Sequence, residues 1–358
     1  MKIDQVKEIA NAVLYEGYLL YPYRRSAIKN RQRWTFGVVY PREYSEANGG
    51  VEPWTMRTEC LITGQADTMV DVTVRFLHLL IRRVPDRQHA DAGAADAQLF
   101  RAAIIAAEPW EEGMEREVYV PALSLGALVA HSQRVEIAFA GGTLYSPAPA
   151  SARALAEQDE RAQWPVAGAI VVAAEPVPAE HTPGGDGIRT NLFKLIVQIE
   201  NTTPGTGAVT GQHEAILRQS FVATHTILQV SGGAFISLLD PPEYARTAAQ
   251  GCQNLRTWPV LVGDEGECTM MLSSPIILYD YPQIAPESAG PLFDGTEIDE
   301  LLTLRIMTLT DEEKEEIRQG DERAREILER TEALTPEQLM KLHGAIRSLR
   351  PVDEGEEP

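Results

Sequence analysis

Between Asn191 and Glu200, Phe193, Leu195, Val197 and Ile199 recur at every second position, a spacing that suits a strand and no amphipathic helix. Thr55 to Thr63 alternates in the same way around Met56, Cys60 and Ile62, and Val70 to Val84 is rich in β-branched and aromatic residues. Glu117 to Leu125, Arg134 to Phe139, Trp258 to Val262 and Ile276 to Tyr279 read as further strands, as does Trp34 to Tyr40, closed by Pro41. Gly141-Gly142 reads as a turn. A chain with this many alternating segments must build sheet.

Helical spacing is confined to fewer places. Ile3, Val6, Ile9, Ala10, Val13, Leu14 and Tyr18 predict an amphipathic helix over residues 3–20, stopped by the Tyr21-Pro22 step. Ile216, Leu217, Phe221, Ile227 and Leu228 predict a helix from His213 to Val230, ended by Gly232-Gly233. From Thr296 onward the chain reads as helical. Thr310-Asp311-Glu312-Glu313 is a capping box, and Thr335-Pro336-Glu337-Gln338 repeats it with proline at the first helical position. The expected fold class is α+β: a β-rich body of antiparallel or mixed sheets, sandwich-like, with an N-terminal helix and a C-terminal acidic helical appendage.

At 358 residues, 44% of them hydrophobic, the chain suffices for one large or two modest domains without staples. The expected organisation is an N-terminal helix with a β-rich region over residues 1–145, then an irregular Pro/Ala/Gly-rich connector over 146–187. Within that connector Ser151 to Gln163 reads as a polar helix and Val166 to Ala174 as a short strand. An α+β region over 188–293, helices over 294–350 and a disordered tail over 351–358 complete it.

The formal charge of −20 sets this chain against nucleic acid and anionic membrane as partners. The charge is unevenly placed. Residues 1–34 carry seven cations against three acids, whereas residues 294–358 carry nineteen acids against nine cations. The two ends are therefore expected to attract each other or to meet different partners. Three widely spaced cysteines, Cys60, Cys252 and Cys268, form no CxxC pair and suit a reducing compartment. With no apolar leader and no membrane-length apolar run, the cytoplasm is the expected location and no membrane span is expected.

Candidate sites are few. Tyr21, Tyr23, Arg24, Arg25, Lys29, Arg31, Arg33 and Trp34 interleave aromatics with cations, a pattern that can anchor a partner protein, hold an anion or pair with the acidic helices. Gly205 to Gly211 imitates a phosphate-cradling loop, but its spacing is GxGxxxG and no lysine follows. Cys252 and Cys268 lie far apart with acids between them, and His213 and His225 share no helix face, so no metal or cofactor site is assigned. Asp294, Glu297, Asp299 and Glu300 suit the positive end of a helix dipole. No catalytic residue is assigned.

Two longer stretches, Tyr21 to Gly37 and Pro275 to Glu300 with its continuation to Thr310-Asp311-Glu312-Glu313-Lys314, resemble a bacterial protein family whose genes sit in nickel–iron hydrogenase clusters. The resemblance covers about a sixth of the chain, and that family has no established catalytic residues to carry over. It implies an accessory, assembly or structural role, with a hydrogenase subunit or another product of the same gene cluster as partner. The chain has neither the paired CxxC motifs of the large subunit nor the many cysteines of the small one, and no His-rich tract or Walker loop. A protein-binding accessory is the first expectation. An enzyme with a pocket near residues 252–280, or an anion or nucleotide sensor using Gly205 to Gly211, are the alternatives.

Overall fold

A computed structural model describes residues 3–24, 27–31, 33–83, 110–147, 158–178, 191–205, 213–285, 288, 290–295 and 298–342. The body is two antiparallel sheets. The first has five strands in the order β10-β1-β8-β7-β4, where β1 is Thr55–Gly64, β4 Gln133–Phe139, β7 Val166–Val177, β8 Asn191–Asn201 and β10 Ala234–Ile236. The second has seven strands: β2 Met69–Arg83, β3 Trp110–Ser124, β5 Gly142–Pro147, β6 Gln158–Gln163, β9 Val222–Ser231, β11 Trp258–Leu261 and β12 Met270–Ser274. Along one edge, β2 pairs with β9 over Met69–Leu77 and with β6 over Leu80–Arg83; β3 runs along its other edge. All pairings are antiparallel, as every one of these ladders shows.

The period-two alternation explains the packing. Val70, Val72, Val74 and Phe76 of β2 share one apolar cluster with Met56, Cys60 and Ile62 of β1 and with Phe193, Leu195, Val197 and Ile199 of β8. The sheets are thus stacked face to face as a sandwich, and each of these larger side chains contributes about 1.5–3 kcal/mol by leaving water. The opposite face of the second sheet is covered by helix. Helix α1 (Ile3–Leu14) sets Val6, Ala10 and Val13 against Ile227, Val260, Met270 and Leu272.

Short helices α2 (Arg42–Ala47), α3 (Leu125–Ala130), α4 (His213–Leu217) and α5 (Arg246–Gln250) punctuate the sheets. The C-terminal layer consists of α6 (Asp299–Met307), α7 (Asp311–Gln319), α8 (Glu322–Glu332) and α9 (Pro336–Lys341). Both expected capping boxes are formed, at Thr310 with Glu313 and at Thr335 with Gln338. Leu302, Ile306, Ile317, Ile327 and Leu328 of this layer pack with Leu14, Tyr18, Leu19, Tyr23 and Leu79. The fold is α+β, with an N-terminal helix, antiparallel sheets and C-terminal helices.

Several local expectations are corrected. The helix expected over His213 to Val230 ends at Leu217, and Val222–Ser231 is a central strand. Its Val, Thr and Ile residues are buried on both faces, so alternation is lost and chance apolar spacing imitates a helix. Trp34 to Tyr40 is no strand: Trp34 and Gly37 have positive φ, and Val39 alone makes a bridge, to Phe221. The strand expected at Ile276 to Tyr279 lies at Met270–Ser274 instead. The N-terminal helix stops at Leu14, six residues early.

In the expected connector, residues 158–163 are strand rather than helix, and Val166–Val177 pairs on both sides within the first sheet. Strands from 1–145 and from 188–293 occur in both sheets. The expected tail over 351–358, most of the polar stretch after Ser151 and the segment after Val84 lie outside the described residues.

Candidate functional site

A cleft of about 870 Å³ lies between α1 and the C-terminal layer. Its wall is Glu8, Asn11 and Ala12 of α1 with Tyr15 just beyond the helix, at i, i+3, i+4 and i+7, and of these Asn11 and Tyr15 also bond Arg75 of β2 and Glu115 of β3. Ile284, Pro291, Leu292 and Phe293 from the strap before α6, then Ile298 and Leu342, give it an apolar lining. Polar groups gather at one end. The Tyr15 hydroxyl donates to Glu115 Oε1 at 2.5 Å and accepts from Arg323 Nη2 at 2.6 Å. Arg75 joins Glu115 at 3.2 Å and Asn11 at 2.8 Å. Burial and the Glu115 carboxylate push the Tyr15 phenol well above its ordinary pKa, so it is a neutral donor at pH 7.

Beside this cleft lies the segment singled out by its aromatics and cations. Arg33 is buried, its guanidinium 3.7 Å from the ring centre of Trp110 and 4.7 Å from that of Trp34. It donates to the carbonyls of Glu111 at 2.7 Å and Tyr18 at 3.2 Å. Trp34 is buried and donates to Glu111 Oε2. Tyr23 is buried and donates to the Leu292 carbonyl at 2.8 Å.

Tyr21 is half-buried, with its backbone N–H on Asp294 Oδ2 at 3.2 Å and the Arg305 guanidinium 5.7 Å from its ring centre. Arg24 pairs with Glu313 at 3.1 Å and Glu316 at 3.7 Å, an instance of the first of the two alternatives that the charge distribution left open. Lys29 is exposed in the 3-10 turn Ile28–Arg31, to which Arg31 also belongs; Arg25 lies outside the described residues. Tyr23, Arg33 and Trp34 therefore serve the interior, where desolvated cation–π contacts are worth about 2 kcal/mol.

Asp321, which the sequence did not single out, is the hub of this region. Its carboxylate accepts from Tyr18 at 3.0 Å and Trp110 at 2.9 Å, and it caps α8 by accepting from the backbone of Arg323 and Ala324. Its Tyr18 and Trp110 partners lie 303 and 211 positions away, so a local signal could have found the cap but not the hub.

An apolar band borders the cleft. Ile298, Leu301, Leu304 and Met307 are 63, 42, 45 and 43% exposed, while Leu302 and Ile306 of the same helix face inward. Ile277 and Tyr279 stand out further, at 69 and 84%. A helix apolar on both sides was visible in the sequence as Leu301-Leu302-Thr303-Leu304-Arg305-Ile306-Met307.

The region near residues 252–280 holds a smaller cleft of about 420 Å³, lined by Ser237, Asp240, Tyr244, Cys268, Asp280 and Tyr281 among others. Asp280 is occupied by the Ser237 hydroxyl at 2.5 Å and the Leu261 N–H at 2.8 Å, so it ties the end of β10 to β11. The Tyr281 phenol is pushed up to about 12 by burial and by its contact with Cys268. Among the described residues no histidine lines this cleft. Of the Gly205 to Gly211 loop, Gly205 is described, and its N–H donates to the Glu43 carboxylate at 3.1 Å, where a phosphate oxygen would have to compete. His213 and His225 fall on α4 and β9.

Among the described residues no group of three or more His, Cys, Asp or Glu side chains is placed to hold a metal ion, and no helix is long and apolar enough to cross a membrane. No family model matches the chain, and no curated protein matches it.

Proposed function

We propose that this chain is a non-catalytic accessory, assembly or structural protein that acts through protein–protein contacts. Following the resemblance of residues 21–37 and 275–314, its partner is a nickel–iron hydrogenase subunit or another protein encoded beside it. The observation that carries this reading is the uncovered apolar band of Ile298, Leu301, Leu304 and Met307 beside the cleft. Large apolar side chains that a folded chain leaves together in water mark a surface that another protein covers. Part of the resembling stretch supplies them: Ile277, Tyr279, Ile284 and Ile298 all fall in it.

The test is capture of purified hydrogenase large and small subunits on the immobilised chain. Leu301→Asp with Leu304→Asp should leave the unfolding midpoint unchanged, because both positions are exposed, and should weaken capture at least about tenfold. Capture of neither subunit by the wild type, or equal capture by the double variant, would remove this reading.

A further inference from the structure

Once its ion pairs are counted, the polar end of the α1 cleft has no charge to spare. Glu115 accepts from the Tyr15 hydroxyl with one carboxylate oxygen and from Arg75 at 3.2 Å with the other. Glu117 lies 3.5 Å from the same arginine, so two carboxylates, Glu115 and Glu117, face two guanidiniums, Arg75 and Arg323. Asp299 accepts from the Ser288 hydroxyl at 2.5 Å, Glu300 is engaged as well, and Glu8 is exposed at the other end of the wall. A charged occupant of either sign would be desolvated at the polar end without gaining an unbalanced partner.

Hydrogen-bond donors are what is left over. Arg323 uses Nη2 on the Tyr15 hydroxyl, and its guanidinium lies 3.8 Å from the centre of that ring. Among the described residues its Nε and Nη1 have no acceptor, and no carboxylate forms an ion pair with it. Asn11 accepts from Arg75 at 2.8 Å through Oδ1, which leaves its amide nitrogen likewise without an acceptor among the described residues. The oxygens of Glu115 and the Tyr15 hydroxyl, by contrast, are occupied. Away from this end the lining is apolar, through Ala12, Ile284, Leu292, Phe293 and Ile298. The volume of about 870 Å³ falls within the range of about 300–1,000 Å³ that small-molecule sites occupy.

We propose that the α1 cleft binds a neutral, largely apolar small molecule that carries a hydrogen-bond acceptor at one end, of the ester or ketone class. Its carbonyl oxygen accepts from Arg323 or Asn11, and its hydrocarbon part lies along Leu292, Phe293 and Ile298. This goes beyond the protein-binding reading and does not rest on it.

The probe is Nile red, a neutral apolar dye with a carbonyl group, read by its fluorescence on the full chain. It is displaced with methyl octanoate, octanoate and octylammonium, which share one hydrocarbon chain and differ in charge. Nile red should bind, and the neutral ester should displace it at a concentration at least about tenfold below either ion. Arg323→Met keeps an apolar side chain and loses the donors, and should weaken the ester about tenfold. Because Arg323 also bonds Tyr15, a second variant is needed. Ala12→Trp, at an exposed position on the cleft wall, should weaken dye and ester alike with the unfolding midpoint unchanged. Leu301→Asp with Leu304→Asp should leave dye binding in place, which separates the cleft from the apolar band.

Absence of dye binding, equal displacement by the ester and either ion, or ester binding untouched by both cleft variants would overturn the proposal. Dye binding that appears only on dilution would give the cleft to a second copy instead. Dye binding that appears only with Ile346→Asp and Leu349→Asp would give it to this chain's own C-terminal residues. Expulsion of the dye by a captured hydrogenase subunit would give it to that partner and end the small-molecule reading. Capture of a subunit with no ester binding sinks the cleft assignment and leaves the proposed function standing. Ester binding without capture of either subunit does the reverse.

Discussion

The sandwich and the C-terminal helical layer are held by different physics. In the sandwich, Val70, Val72, Val74 and Phe76 face a dozen or more apolar side chains of the other sheet, and no single contact is indispensable. The helical layer also buries apolar groups, but its placement depends on a few directional contacts: Asp321 to Tyr18 and Trp110, Arg323 to Tyr15, and Arg24 to Glu313. Non-directional burial tolerates loss of one member in proportion to its size. A directional hub fails when one partner goes, since the others are left buried and unsatisfied. The layer should therefore detach as a unit while the sandwich stays folded.

Phe76→Ala strikes the sandwich and should be the largest effect. Phe76 is fully buried, its ring centre 4.5 Å from that of Phe221, and the loss should be about 3–5 kcal/mol in chemical denaturation, shared by every strand. Asp321→Ala should cost about 3 kcal/mol, by stranding the Tyr18 hydroxyl and the Trp110 indole and uncapping α8. Hydrogen exchange should then quicken in residues 299–342 and not in β2, β8 or β9. Global loss of protection would show that layer and sandwich are one cooperative unit.

Acid should separate them the other way. His78 on β2 and His225 on β9 are buried, and burial lowers both to about pH 4. Their folded pKa values lie below the unfolded value near 6.5, so the unfolded state binds more protons between these limits and stability falls as pH drops through that window. From pH 7 to 5.5 the two should together cost about 2 kcal/mol. His225→Phe should remove about half of that dependence, and imidazole titration by NMR would check the assignment.

Strands were legible where one face is apolar and the other is not, as in Asn191 to Glu200. They were illegible where both faces are buried, as in Val222–Ser231, because the period-two signal then vanishes. The caps at Thr310 and Thr335 were legible because everything they need lies within four residues. The cation–aromatic segment was seen, but its pattern is the same whether it faces a partner or the interior. Arg33 itself is buried between Trp34 and Trp110, through a contact 77 positions away in the chain. The cleft was not legible: Glu8, Asn11 and Ala12 read only as positions off the apolar stripe of the predicted helix, and the facing Ile284, Leu292 and Phe293 come from remote positions in the chain.

The bond from Tyr18 to Asp321 has a consequence in time. Its two residues are 303 positions apart, which at 5–20 residues per second is about 15–60 s of synthesis. Through that interval Leu14, Tyr18, Leu19 and Tyr23 have been made and the helices that cover them have not. This segment is thus a client for chaperones until the covering helices arrive, and a chain cut short before Asp321 advertises its own incompleteness.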